Sequence, residues 1–416
     1  MLVTKESLAL YGGKPVRTEP LPVMHPGATA FDQAEVDAVL EVLDAQSPYR
    51  FYGPKFLNIT GKFENEFRNY VGSKYALAVT SGTAALHTTL IGLGVKEGDE
   101  VILPGYAWVS CPSAIVAARG TPVLANVDKS LTINPADVER KITDKTKVIM
   151  AVHIRGVPSD LDPLKKIAKD HGVFLLEDVA QCGGGSYHGK KLGSIGNVGS
   201  FSFQLNKMIS AGEGGATVTD DRMTYERMLM FHDVGTPFRA GEPEVPKLEI
   251  KPFPGVNYRL NEISSAVLRA QLKKEDSIIA AVRKNKAKIK KGISDIGGIE
   301  FRHLPDPEGE IGVAVVFFVD SPEKARTFRD AILAEGIKRV SGMYPGVMYD
   351  PARYDGHVFT AWGHLVPGVD QLQKKDLAPT LDILGRAVHV DVSPVDTDEG
   401  INDIIEAIHK IAAVVL

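Results

Sequence analysis

One lysine, Lys207, stands just past a strand-like pattern in the stretch GSFSFQLNKMISAGEGG (Gly199–Gly215). The alternation of small and aromatic residues over Ser200–Gln204 predicts a strand, and GEGG (Gly212–Gly215) marks the turn before a second apolar run, Ala216–Thr219. A lysine held at a strand-end turn, beside glycines that let backbones approach closely, can condense with a carbonyl group to form a Schiff base. A lone lysine in a polar turn is ordinarily solvated, so the assignment depends on what else the chain brings to it.

Other residues could serve such chemistry. An apolar run, Ala76–Thr80, ends in Ser81-Gly82-Thr83 and opens into a helical pattern. The unpaired N–H groups at such a helix start suit a phosphate, Gly82 permits close approach, and Thr83 can cap or donate. The run Val173–Glu177 is followed by Asp178, a carboxylate placed to keep a pyridine nitrogen protonated or, more blandly, to cap a turn. Trp108, after Glu100–Leu103, can stack on a planar ring or pack in the core. Gly184–Lys191 (GGSYHGKK) imitates a nucleotide-binding loop but has Lys191 where Ser or Thr must meet magnesium. No GxSxG elbow, CxxC or metal-spaced histidine pair occurs, so a serine hydrolase or a metal site is not expected.

The elements that must position these residues follow from periodicity. Ala76–Thr80, Glu100–Leu103, Pro122–Val127, Lys147–His153, Val173–Glu177, Ser200–Gln204 and Ala216–Thr219 read as strands. Helical patterns such as Ala84–Leu93, Pro135–Ile142 and Leu161–Asp170 lie between them. Repeated strand–helix–strand units predict an α/β fold, a mostly parallel sheet covered on both faces, with ligands at the carboxyl ends of the strands. After Asp221 the pattern changes to helices over Met223–Phe231 and Asn261–Leu272 and a basic helix over Ser277–Ile293 with a solvated lysine face. Two strands (Glu300–His303, Gly312–Val319), a helix from Pro322 to Ala334 capped by Ser321, and a terminal helix follow. Asp396 and Glu399 are expected to box the start of that last helix, and its isoleucines form one stripe. A large domain over residues 1–280 and a small α+β domain over 281–416 are the expected division.

Composition bounds the function. The chain has 416 residues, 44% of them hydrophobic and 24% charged, and a net charge of −4, which gives no reason to expect nucleic acid or a membrane surface as partner. Two cysteines exclude a disulfide framework, and Met1–Leu10, with Lys5 and Glu6, lacks a signal-peptide core, so a cytoplasmic protein is expected.

The order of SGT, Trp108, EDVAQ (Glu177–Gln181), the strand before Lys207 and GEGG resembles one family. So do GDEVILP, ITDKTKVIMAVH, KKLGSIGNVGSFSF and VNYRLNEISSAVLRAQL. The chain is similar, from about Gly12 to Gln271, to the DegT/DnrJ/StrS pyridoxal-phosphate-dependent aminotransferases, which act on keto-sugars and ketocyclitols. The resemblance implies an aspartate-aminotransferase-like fold (type I) with a seven-stranded mixed sheet, a small C-terminal domain and a homodimer with shared active sites. It assigns pyridoxal phosphate to Lys207 as a Schiff base, Asp178 to the ring nitrogen, Gln181 to the ring hydroxyl and Trp108 to the ring face. Gly82, Thr83 and Ser202 would hold the phosphate, joined by Asn257 from a second subunit.

Lys207 argues for amino transfer, because members with histidine there dehydrate instead. Gln204 stands where many sugar-acting members have histidine, and the opening LALYGGKPVRT resembles the branch acting on inososes and aminohydroxybenzoate precursors. The expected activity is therefore transfer of an amino group from glutamate or glutamine to a small polyhydroxylated ketone without a nucleotide. Another pyridoxal reaction, such as an aromatising dehydration or a decarboxylation, and a non-catalytic regulator are the alternatives. Acceptor contacts are expected from Tyr49–Lys55, the Thr236–Gly255 loop and Met343–Tyr354.

Overall fold

The computed structural model describes residues 4–235, 249–341 and 377–416. An N-terminal arm leads to α1 (Pro26–Thr29), α2 (Gln33–Asp44) and α3 (Ile59–Val71). Then come β1 (Tyr75–Val79), α4 (Gly82–Gly92), β2 (Glu100–Pro104), α5 (Ser110–Ala117), β3 (Thr121–Ala125), α6 (Pro135–Lys141), β4 (Thr146–Val152), α7 (Leu161–His171) and β5 (Phe174–Asp178). A hairpin, β6 (Ser186–Tyr187) and β7 (Lys190–Lys191), precedes β8 (Val198–Ser202), β9 (Gly215–Thr219), α8 (Arg222–His232), α9 (Glu262–Leu272) and α10 (Glu275–Gly292). The chain continues through β10 (Glu300–Phe301), β11 (Ala314–Phe318), α11 (Pro322–Ala334), β12 (Val340–Ser341), α12 (Ala378–Gly385), β13 (Ala387–Asp391) and α13 (Asp398–Val415).

The large sheet has seven strands in the order β1-β9-β8-β5-β4-β2-β3. β3, β2, β4, β5 and β8 are parallel, and β9 runs antiparallel to both β8 and β1. Its strands are apolar on both faces because helices cover both. Along β4, Val148, Met150 and Val152 enter one core and Ile149 and Ala151 the other, the period of two that a strand imposes. One sheet edge therefore gathers the ends of β1, β5 and β8 and the start of β9, and with them Ser81, Asp178, Ser202 and Gly215.

Caps fix several helix starts, among them the expected one at Ser321. Asp32 and Glu35 form a capping box on α2, Asn261 caps α9, and Ser321 accepts from Lys324 N at the start of α11. The terminal helix corrects one expectation: its cap is Thr397, which accepts from Gly400 N, not Asp396. Asp396 instead accepts from Ser393 N and pairs with Arg339 at 2.6 Å.

The small sheet also exceeds the two strands expected. It has four, in the order β10-β11-β13-β12, all antiparallel, and β13 is an inner strand. α10 runs through position 281, where the domains are expected to divide. Its Ile278, Ile279, Val282 and Ile289 share one core with Ile401, Ile404, Ile408 and Ile411 of α13, each such side chain contributing roughly 1.5–3 kcal/mol by its burial. Its lysine face is not wholly solvated, because Lys286 is buried against Glu310 at 2.5 Å.

Candidate active site

Asp178 is the last residue of β5, and the residue before it fixes that strand end. Glu177 is fully buried and accepts from Gly193 N (2.8 Å), Ile195 N (2.8 Å) and Gly196 N (2.6 Å). His153 Nδ1 accepts from Ser159 N, so its Nε2 carries the proton and donates to Glu177 at 3.2 Å. These donors hold Glu177 below the usual carboxylate range in spite of its burial. Asp178 is itself 4% exposed; it accepts from Ala180 N at 3.0 Å and from the Cys111 thiol at 3.1 Å. Burial and the neighbouring Asp178 charge push Cys111 up, so it stays a thiol and a donor.

Lys207 follows β8 on a turn fixed by main-chain bonds. Its N donates to Gln204 O (2.9 Å), and its O accepts from Gly27 N (3.0 Å) in α1. That approach requires glycine: a Cβ on Gly27 would lie 2.8 Å from Ser210 N. Among the described residues the Lys207 amine makes no hydrogen bond. Burial lowers its pKa from the ordinary lysine value; Asp178 works against this and Arg155 with it.

The third part of the site is the start of α4. Ser81 caps the helix by accepting from Ala84 N at 3.1 Å, Gly82 is its first residue, and Thr83 donates to Ser110 Oγ at 2.8 Å. Gly82 packs against Ser202, where a Cβ would meet Ser202 Cβ at 2.7 Å. This contact keeps the helix N-terminus and the Ser202 hydroxyl together as a cradle for an anion.

These three parts face one cavity of about 740 Å³, lined by Gly82, Thr83, Trp108, Asp178, Gln181, Ser202 and Lys207. Trp108 remains 47% exposed, and Gln181 Oε1 accepts from Arg155 N at 3.0 Å. A buried strand-end carboxylate, a helix-start anion cradle and an unbonded amine are the donor set that pyridoxal phosphate requires, and the residues fit it.

Not every expected residue lines this cavity. Asn257 does not: it is exposed, bridges to Asp233, and accepts from Arg259 N at 3.3 Å. Tyr49–Lys55 also lie off it, with Tyr49 packed on Tyr52 at 4.7 Å and under the Arg259 guanidinium at 5.7 Å. Residues 236–248 of the expected acceptor loop, and all of Met343–Tyr354, lie outside the described residues. The loop imitator Gly184–Lys191 is the β6–β7 hairpin, turning through His188 (φ 49) and Gly189 (φ 78), with Lys190 exposed.

The cavity wall also carries His25, Arg155, Glu275, Arg339 and Asp391, none of them expected from the sequence. Arg155 follows β4 with φ 52, a left-handed conformation uncommon for a residue with a Cβ, and meets Asp391 of β13 at 3.1 Å. Its place after the carboxyl end of a parallel strand was the signal available for it.

Comparison with known proteins agrees with this geometry. The model of the DegT/DnrJ/EryC1/StrS aminotransferase family matches residues 30–409. The chain is 35% identical over 314 residues to L-glutamine:2-deoxy-scyllo-inosose aminotransferase of Streptomyces kanamyceticus, covering 73% of this chain and 72% of that one. It is 30% identical over 386 residues to GDP-perosamine synthase of Caulobacter vibrioides, covering 91% and 96%. The solved structure of 3-amino-5-hydroxybenzoic acid synthase superposes with a TM-score of 0.80 at 28% identity, covering 95% of this chain and 99% of that one. The fold is that of the type I pyridoxal-phosphate aminotransferases. By these matches the chain belongs to the DegT/DnrJ/EryC1/StrS family of pyridoxal-phosphate-dependent aminotransferases.

Proposed function

We propose that the protein transfers an amino group from glutamine or glutamate to the ketone of a small polyhydroxylated ring, a cyclitol or free sugar. One observation carries the reading: the unbonded amine of Lys207 opens on the same cavity as Asp178 and the α4 N-terminus. Pyridoxal phosphate, when bound there, supplies an electron sink for the pair freed as the donor Cα–H bond breaks. Lys207 would hold it covalently and, once released by the donor, accept that proton at Nζ and return it on the other side of the exchange. A desolvated amine with a lowered pKa suits this, because burial disfavours its charged form.

Asp178 would keep the ring nitrogen protonated, with the Cys111 thiol and Ala180 N fixing its carboxylate. Gln181 would meet the ring hydroxyl, and Trp108 the ring face. Gly82, Thr83 and Ser202 would take the phosphate, completed by Asn257 of a second copy in a homodimer. Arg155 and Arg339 are guanidinium groups of the cavity wall, and an amino-acid donor brings a carboxylate that suits them. The relative that acts with glutamine on an inosose favours an acceptor without a nucleotide.

The test is a two-stage titration of the purified holoenzyme. Glutamine or glutamate should convert the aldehyde-form absorbance to that of the amine form, and an inosose-type ketone should restore it. Failure of both donors to convert the cofactor would reject the reading.

A further inference from the structure

Arg155 holds a backbone conformation that its surroundings must enforce. Its φ of 52 and ψ of 45 lie in the left-handed region, and Gly156 follows at φ 79. A residue with a Cβ is strained there, and such strain persists only where other bonds over-determine it. Arg155 N donates to Gln181 Oε1 at 3.0 Å, Gly156 N to Gln181 O at 2.9 Å, and Ile311 N to Gly156 O at 2.9 Å. Arg302, just after β10, donates to Ile154 O at 2.9 Å and to Arg155 O at 3.4 Å. The turn so fixed sets a guanidinium, 6% exposed, in the wall of the cavity that holds Lys207, close enough for its charge to act on the lysine amine.

Asp391, the last residue of β13, meets this guanidinium. Arg155 Nη2 lies 3.1 Å from Asp391 Oδ1, a contact of charges that lacks the alignment of a hydrogen bond. The Asp391 side chain is 16% exposed and lines the same cavity. Burial raises Asp391, with Arg155 and Arg339 opposing, so its charge depends on these cations. Arg339 is held more tightly: it pairs at 2.6 Å with Asp396, whose side chain is fully buried and also accepts from Ser393 N. The proposed reaction asks this cavity to admit in turn an amino acid with a carboxylate and an uncharged ring. A fixed, unpaired cation would favour the first and penalise the second, because a ring that displaces water leaves the charge desolvated. We infer that Asp391 and the donor carboxylate alternate as partners of Arg155. The guanidinium turns to the donor while the amino acid is bound and rests on Asp391 when the uncharged acceptor takes its place. This rests on the donor and acceptor classes proposed above, and Asp391 acts through Arg155 as a positioning residue.

Competition on the amine form of the holoenzyme tests this. Glutarate, which has carboxylates but no amine to exchange, is the donor probe, and scyllo-inosose is the acceptor. Arg155→Met should weaken glutarate roughly 10- to 100-fold, the range for a lost hydrogen bond to a charged group, and change the scyllo-inosose KM far less. Asp391→Asn keeps the shape and removes the competing charge, so its effects should run the other way. Glutarate should bind roughly tenfold more tightly, and the scyllo-inosose KM should rise by roughly the same factor. A merely structural contact would instead weaken both ligands together in either variant.

If Asp391→Asn does not fold, the double variant Arg155→Met/Asp391→Asn, which leaves neither charge of the pair stranded, carries the test. It should bind glutarate as weakly as Arg155→Met does, while its scyllo-inosose KM stays close to that of the wild type. Glutarate binding that is unchanged or weaker in Asp391→Asn, or that survives in Arg155→Met or the double variant, would overturn the inference. With a wild type that completes both halves of the exchange, the aminotransferase reading would stand. If glutamine converts the wild-type cofactor but no polyhydroxylated ketone restores it, the acceptor class fails first and the inference with it.

Discussion

Burying Glu275 should make the protein less stable as pH rises, and by a calculable amount. The folded-state pKa is raised from the ordinary 4.5 to about 7, chiefly by burial. Between those values the unfolded chain gives up the proton and the folded chain keeps it, so the group favours unfolding increasingly as pH climbs through that window. The effect is absent below about pH 4.5 and complete above about pH 7. At 1.36 kcal/mol per pKa unit the full penalty is about 3 kcal/mol.

The charged groups facing Glu275 are Asp276 and the Lys191 ammonium, with Tyr70 beside them. Tyr70 is raised, first by burial, and Asp276 is held low by Tyr70 and Lys191 against its partial burial, so neither titrates inside the window. Glu275→Gln removes the one titrating group at near-constant shape. Urea unfolding of wild type and variant at pH 5 and pH 8, with equal cofactor saturation, reads the gap between them. That gap should grow by about 2.5 kcal/mol in favour of the variant at the higher pH, the remainder having developed below pH 5. A gap that stays constant across the window would refute the assignment of a buried, raised carboxyl.

Three further outcomes are expected. Asn257→Ala should weaken cofactor retention, and mixing it with inactive Lys207→Ala after proven subunit exchange should recover some activity, because one site of each hybrid dimer is then intact; no recovery counts against shared sites. A nucleoside diphosphate should not compete with the acceptor, and competition combined with failure to convert free inososes would move the acceptor to the nucleotide-linked class. Glu177→Gln should destabilise the fold by roughly 3–5 kcal/mol, because it breaks a buried charged network; unfolding midpoints unchanged from wild type would show that the network does not anchor β5.

Much of the frame was legible in the sequence because it is written in local chemistry. The seven apolar runs fall on the strands of the large sheet within a few residues, and Lys207 and Asp178 were found by residue type at the ends of two of them. The cap at Ser321 lay just before its helix. The last helix was misread by one residue because Asp396 and Thr397 are both capping types, and only the fold shows Arg339 and Ser393 claiming Asp396. β13 was missed because AVHVD carries a polar His389 in an otherwise apolar run; in the fold His389 is fully buried between β11 and β12. Arg155, Glu275 and Arg339 escaped for a related reason. A charged side chain reads locally as solvent-facing, and only the long-range approach of β4, α10 and the small domain makes a cavity wall of them.

Amino transfer by Lys207→Ala is the most direct test of the central claim. With glutamine and an accepting ketone, this variant should lose turnover by at least the roughly 10²–10⁴-fold that accompanies loss of a general acid–base, and should lose the absorbance of covalently held cofactor. Lys190→Ala, at the exposed start of β7, should retain both. Turnover of Lys207→Ala equal to wild type would contradict the account at its root.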